Sequence, residues 1–187
     1  MSGKSHKIFE KITQIFGKKN PRMSQKSGGI ITISVIGGST ITEEVEQLAH
    51  ETGRIIAKVG AYLVCGGLGG AMEATSKGAK EAGGFTIGIL PGKDKSDANP
   101  YIDLALPSTI GFARNVMVAA SGDIIIALPG SHGTRSEISY GLVYKRPVID
   151  LGGWDIEGMI KIDSIEELEP TLKDLMEHIK NARTAGS

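Results

Sequence analysis

The segment Pro129-Gly130-Ser131-His132-Gly133-Thr134-Arg135-Ser136-Glu137 places glycines, hydroxyls, a cation and a carboxylate side by side. It follows Ile124 to Leu128, an apolar run that reads as a buried parallel strand. The chain breaks at Pro129-Gly130, turns through Ser131-His132-Gly133 and is expected to start a helix at Thr134. Where a strand end, a glycine turn and a helix N-terminus meet, free N–H groups and the positive end of the helix dipole converge, which suits a phosphate. Glu137 has two readings. With Thr134 it makes a Thr-x-x-Glu capping box that closes the helix start. Facing a pocket, it would polarise water or stabilise the positive charge that develops as a glycosidic bond breaks. The residues alone favour the cap. Arg114 reads as a surface cation or a phosphate clamp. His132 reads as a base or, preferred for its place in mid-turn, as a backbone placeholder with a partly exposed ring, and Cys65 as a small buried side chain at a strand end. Trp154 either borders the pocket or packs between subunits.

The elements that must position these groups alternate in type. Ile30 to Ile36 reads as a strand ending in Gly37-Gly38-Ser39. Thr42, followed by Glu43 and Glu44, starts a helix that runs to about Val59 and stops at Gly60. Ala61 to Cys65 is a second strand, running into Gly66-Gly67-Leu68-Gly69-Gly70 and a helix from Ala71. This turn lacks the Gly-Lys-Ser/Thr of a Walker loop and the spacing of the dinucleotide fingerprint. Phe85 to Leu90 is a third strand. Pro91 to Pro100 is a polar loop, read as a solvated connection or a lid. Tyr101 to Leu106 is a candidate edge strand, and Gly111 to Ala120 a helix carrying Arg114 and Asn115. Pro147 to Leu151 and Met159 to Ile162 are further strands. Ser164-x-x-Glu167 reads as a capping box opening a last helix to about Lys180. The pattern predicts an α/β, three-layer Rossmann-like fold with a mainly parallel sheet and helices on both faces. Ligands bind at the carboxyl ends of such strands, where the turns at 37–39, 66–70 and 130–133 would converge.

Bulk composition removes other classes. Lys+Arg and Asp+Glu balance at 21 each and aromatics are 5%, so neither charge nor base stacking argues for nucleic acid. No stretch is apolar for long enough to span a membrane. A single cysteine and the lack of a secretory signal lead us to expect a cytoplasmic protein. Residues 1–29 stand apart from the domain expected at 30–182. They carry Lys4, Lys7, Lys11, Lys18, Lys19, Arg22 and Lys26 against Glu10, with Ile8, Phe9, Ile12, Ile15 and Phe16 at helical spacing. They read as a mobile tail, or a helix resting on the domain or a neighbour. The competing reading is a basic amphipathic segment that touches acidic lipids or a partner. The first is preferred because termini are often loosely held.

Pro129 to Glu137 resembles the Pro-Gly-Gly-x-Gly-Thr-x-x-Glu signature of the Lonely Guy phosphoribohydrolases. Arg114-Asn115-x-Met117 is similar to their Arg-Lys-x-x-Met segment, and Cys65 to Met72 to their first glycine-rich turn. Ser131 stands where that family has its second glycine, and Asn115 where the enzymes carry lysine. Arg114-Asn115 with Gly133-Thr134-x-Ser136-Glu137 resembles more closely the molybdenum cofactor carrier proteins. The resemblance implies an oligomer, a homodimer or dimer of dimers, holding a phosphorylated small molecule: a nucleotide or a molybdopterin-type ligand. No further cofactor is expected. Under it, Gly37, Gly38, Ser39, Gly66, Gly67, Gly69, Arg114, Asn115, Gly130, Ser131, His132, Gly133, Thr134 and Glu137 would line the ligand. The expected function is binding or carriage. The alternative is hydrolysis of a nucleoside 5′-monophosphate to free base and ribose 5-phosphate, with Arg114 and Glu137 as the implied catalytic pair.

Overall fold

The computed structural model describes residues 29–185, so both readings of the basic segment at 1–28 lie outside the described residues. The strands are β1 (Thr32–Ile36), β2 (Tyr62–Cys65), β3 (Thr86–Leu90), β4 (Leu104–Pro107), β5 (Ile124–Ala127), β6 (Val148–Asp150) and β7 (Ile160–Lys161). The helices are α1 (Glu43–Lys58), α2 (Ala71–Glu81), α3 (Asn115–Ser121), α4 (His132–Val143) and α5 (Leu168–Ala185). All strand pairs are parallel, in the order β4-β3-β2-β1-β5-β6-β7. The inner strands are mostly apolar because both faces are covered; the buried Ser34 of β1 donates its hydroxyl to Val118 O at 2.6 Å. Ile33, Val35, Leu63, Ile124 and Ile126 pack with residues of α1, α2 and α5. Ile36, Val64, Ile125 and Ala127 pack with residues of α3 and α4. The chain walks outward from β1 to β4, then returns to lay β5 on the other side of β1. The connections after β1 and β5 therefore diverge and leave a crevice at the carboxyl ends of those two strands.

Local chemistry explains most boundaries. Thr42 caps α1, its Oγ1 accepting from Val45 N at 3.4 Å, and Gly60 takes φ +77° just past the end. Gly53 and Gly78 let α1 and α2 meet backbone to backbone. A Cβ on Gly53 would lie 2.8 Å from Ala79 N, and one on Gly78 2.8 Å from His50 C. Gly53→Val should therefore destabilise the fold by about 3 kcal/mol or more through overpacking. Thermal denaturation checks this, and an unchanged midpoint would contradict the close approach.

Three helix starts differ from expectation. The helix after β5 begins at His132, not Thr134, with Ser131 as N-cap. Thr134 and Glu137 thus lie inside the helix and close no capping box. Ser164 makes no side-chain cap either; a 3-10 turn at Ile165–Glu167 leads into α5, which runs to Ala185. The helix expected at Gly111 starts as a 3-10 turn, Gly111–Arg114, before α3.

Candidate functional site

Gly38 ties the three glycine turns together. Its N–H donates to Pro129 O at 3.0 Å, and its carbonyl accepts from Ala71 N at 2.9 Å. A Cβ on Gly37 would sit 2.8 Å from Ala71 Cβ, and one on Gly130 would sit 3.0 Å from Gly38 N. Side chains there would force the turns apart, so these glycines are needed for close approach. Ser39 is exposed. Ser131 has φ −129° and ψ −153°, extended backbone that any residue adopts, so serine costs this turn nothing relative to glycine. The exposed His132 is the first residue of α4, and Gly133 and the buried Thr134 follow. Among the described residues, the N–H groups of these three have no protein acceptor; Arg135 N is the first to bond, to Ser131 O at 3.0 Å. Three unspent amides at the N-terminus of a 12-residue helix form an anion-attracting end.

Arg114 is 7% exposed and Glu137 5%. That removes the surface-cation reading of Arg114 and the capping reading of Glu137. The 3-10 turn delivers Arg114 beneath the crevice, where a Cβ on Gly66 would lie 2.6 Å from its Nη1. Nη1 donates to Asn115 Oδ1 at 3.0 Å and lies 3.7 Å from Glu137 Oε1, while Nε is buried without a partner. Asn115 also reaches the β5 turn, since a Cβ on Gly133 would lie 3.4 Å from its Nδ2. Burial pulls the Arg114 guanidinium below its ordinary value, against the pull of Glu137, yet it stays cationic. Burial pushes Glu137 up to about 8, with Arg114 opposing. The Glu137 carboxyl makes no hydrogen bond among the described residues. Cys65, fully buried at the end of β2, has its thiol pushed up by burial, and its Sγ accepts from Gly67 N at 3.3 Å.

Two positioning residues carried no signal in the sequence. Asp150, 2% exposed at the end of β6, accepts from Gly152 N, Trp154 N and Asp155 N at 3.1, 3.0 and 2.9 Å. It folds the following loop back so that Trp154 Nε1 donates to Leu128 O at 3.0 Å, with Arg135 5.7 Å above the indole. Trp154 therefore buttresses the end of β5. Asn99, 9% exposed, sits in the 91–100 loop and bonds the turn after β2. A groove of about 690 Å³ along α1 lies elsewhere; its Lys58 and Glu169 pair with each other at 2.8 Å. Among the described residues, no helix is long and apolar enough to cross a membrane, and no group of three His, Cys, Asp or Glu could hold a metal ion.

A parallel α/β sheet with glycine turns and a buried arginine at its switch point defines a Rossmann-like protein. The model of the SLOG cluster4 family (LDcluster4) matches residues 30–182, and the chain belongs to that family. It is similar to the molybdenum cofactor binding protein of Rippkaea orientalis, at 32% identity and a TM-score of 0.75, over 80% of this chain and 99% of that one. The molybdenum cofactor carrier protein of Chlamydomonas reinhardtii matches at 30% and 0.73, over 80% and 99%. A cytokinin riboside 5′-monophosphate phosphoribohydrolase of Mycobacterium tuberculosis is 30% identical over 135 residues, 66% of this chain and 71% of that protein.

Proposed function

We propose that the chain is a binding or carrier protein for a phosphorylated, nucleotide-like ligand of the kind the molybdenum cofactor carriers hold. The phosphate would rest on the N–H groups of His132 to Thr134, with Arg114 supplying charge. Gly37, Gly38, Gly66, Gly67, Gly69 and Gly130 would let the ligand approach the backbone, and Ser39, Ser131 and Asn115 would add polar contacts. One observation carries the preference for binding over hydrolysis. Glu137, 5% exposed, lies beside Arg114 with no side-chain hydrogen bond among the described residues, and burial raises its carboxyl to about 8. At neutral pH such a group is mostly protonated and does not offer the anion that an oxocarbenium-like sugar needs. The neutral Asn115, bonded to Arg114, leaves one fixed cation in the crevice. The phosphoribohydrolase reading keeps its own support: Arg114 and Glu137 lie side by side, and the mycobacterial hydrolase is a relative.

The proposal extends to a cytoplasmic homodimer or dimer of dimers. The face covered by α3 and α4 leaves Phe112 90% exposed and Val143 72% exposed, with Ile110, Met117 and Tyr140 also exposed. Such a patch suits a second copy of the chain. Native mass spectrometry of the purified protein tests both points. We expect an even-numbered oligomer that retains a phosphorylated small molecule. A ligand-free monomer that takes up no added nucleotide would contradict the proposal.

A further inference from the structure

We propose that Asn99 is the positioning residue that sets the polarity of the turn after β2. The loop holding it separates β3 from β4, on the far side of β2 from the crevice. Its backbone N–H donates to Gly67 O and its Nδ2 to Leu68 O, both at 2.9 Å. Its Oδ1 accepts from Tyr101 N at 3.1 Å, which fixes the amide so that Nδ2 faces the turn. Both carbonyls of Gly67 and Leu68 are therefore drawn toward the β3 side. In a trans peptide the C=O of one residue and the N–H of the next point in opposite directions. The N–H groups of Leu68 and Gly69 are thereby turned toward the β1 side, where Gly70 abuts Ser39: a Cβ on Gly70 would lie 2.5 Å from Ser39 O. Among the described residues, neither amide has an acceptor. Two successive free N–H groups make a nest for an anionic oxygen. Arg114, over nine-tenths buried with an unpartnered Nε, lies against Gly66 in the same turn.

Asn99 thus acts through the turn, not by touching the ligand. Without the Nδ2 donor, the Leu68 carbonyl has no reason to stay on the β3 side, and its peptide is free to rotate its N–H out of the crevice. This inference rests on the phosphate-site reading above, which the test separates from it.

The variant is Asn99→Asp, close in shape, which keeps the acceptor for Tyr101 N and replaces the donor with an oxygen. Titration with adenosine 5′-monophosphate at neutral pH should show Kd raised about tenfold over wild type, with the thermal midpoint retained. As pH falls, the introduced carboxyl, raised by burial, takes a proton and regains a donor for Leu68 O, so the ratio to wild type should return toward one. Asn99→Ala should show the loss without that recovery. A ratio near one at neutral pH overturns the role of Asn99, as does a loss that persists at low pH. If wild type binds no nucleotide, the phosphate-site reading fails. The crystal structure of ligand-free Asn99→Asp then decides for Asn99: rotated peptides at 67–69 support it, and unchanged ones overturn it.

Discussion

Arg114→Ala is expected to weaken binding of a phosphorylated ligand by about ten- to a hundredfold, the ~1–3 kcal/mol of a charge-assisted contact, while leaving the fold intact. The two effects separate because of how Arg114 is held. Its partners are Asn115 Oδ1 at 3.0 Å and Glu137 Oε1 at 3.7 Å from Nη1, with the weak acceptor Met72 Sδ 4.0 Å from Nη2, and its Nε has none. A buried cation so incompletely paired contributes little net stability, because desolvation offsets its attraction to the carboxylate. Its removal also leaves no buried anion behind, since Glu137 loses the cation that holds its pKa down and keeps its proton more firmly. Arg114→Lys should fall between, retaining charge without the planar fork. Calorimetric titration with adenosine 5′-monophosphate beside thermal denaturation reads both quantities; unchanged affinity would remove Arg114 from the site.

The second large effect follows pH. Glu137 has a folded-state pKa of about 8 against an ordinary value of 4.5. Below 8 its carboxyl is neutral and Arg114 presents an uncompensated positive charge to the crevice. Above 8 the carboxylate cancels that charge and repels an anion. Ligand affinity should therefore fall as pH rises past about 8, by up to tenfold per unit for one linked proton, and Glu137→Gln should remove the fall. Stability carries the same sign. A raised carboxyl contributes most below its unfolded pKa, and the contribution fades as pH climbs toward the folded value. Between about pH 6 and 9, wild type should lose on the order of 2 kcal/mol relative to Glu137→Gln. Denaturant titrations across that range measure the difference. Parallel curves for the two proteins would mean that Glu137 is ionised throughout.

The strands were legible because parallel strands buried on both faces are written as short apolar runs, and each run here ends in turn residues. The crevice was legible because Gly37, Gly66 and Gly130 follow three of those runs. Thr42 was readable as a cap because its partner, Val45 N, is three residues away. Where partners are distant, local pattern reading failed. Asn99 reaches Leu68, and Asp150 gathers the amides of a loop whose Trp154 reaches back to Leu128. Neither side chain has a local signature, since its partners are backbone groups that only the fold brings near. Thr134 and Glu137 misled in the opposite way. Their spacing matches a capping box, but the helix already starts at His132, so the same three-residue spacing places both inward on one buried side of α4.

Incubating adenosine 5′-monophosphate with the protein at neutral pH tests the central claim most directly. The account predicts that the nucleotide binds and is recovered intact, with neither adenine nor ribose 5-phosphate detected by chromatography. Adenine release by wild type that disappears in Glu137→Gln would contradict it and identify a hydrolase.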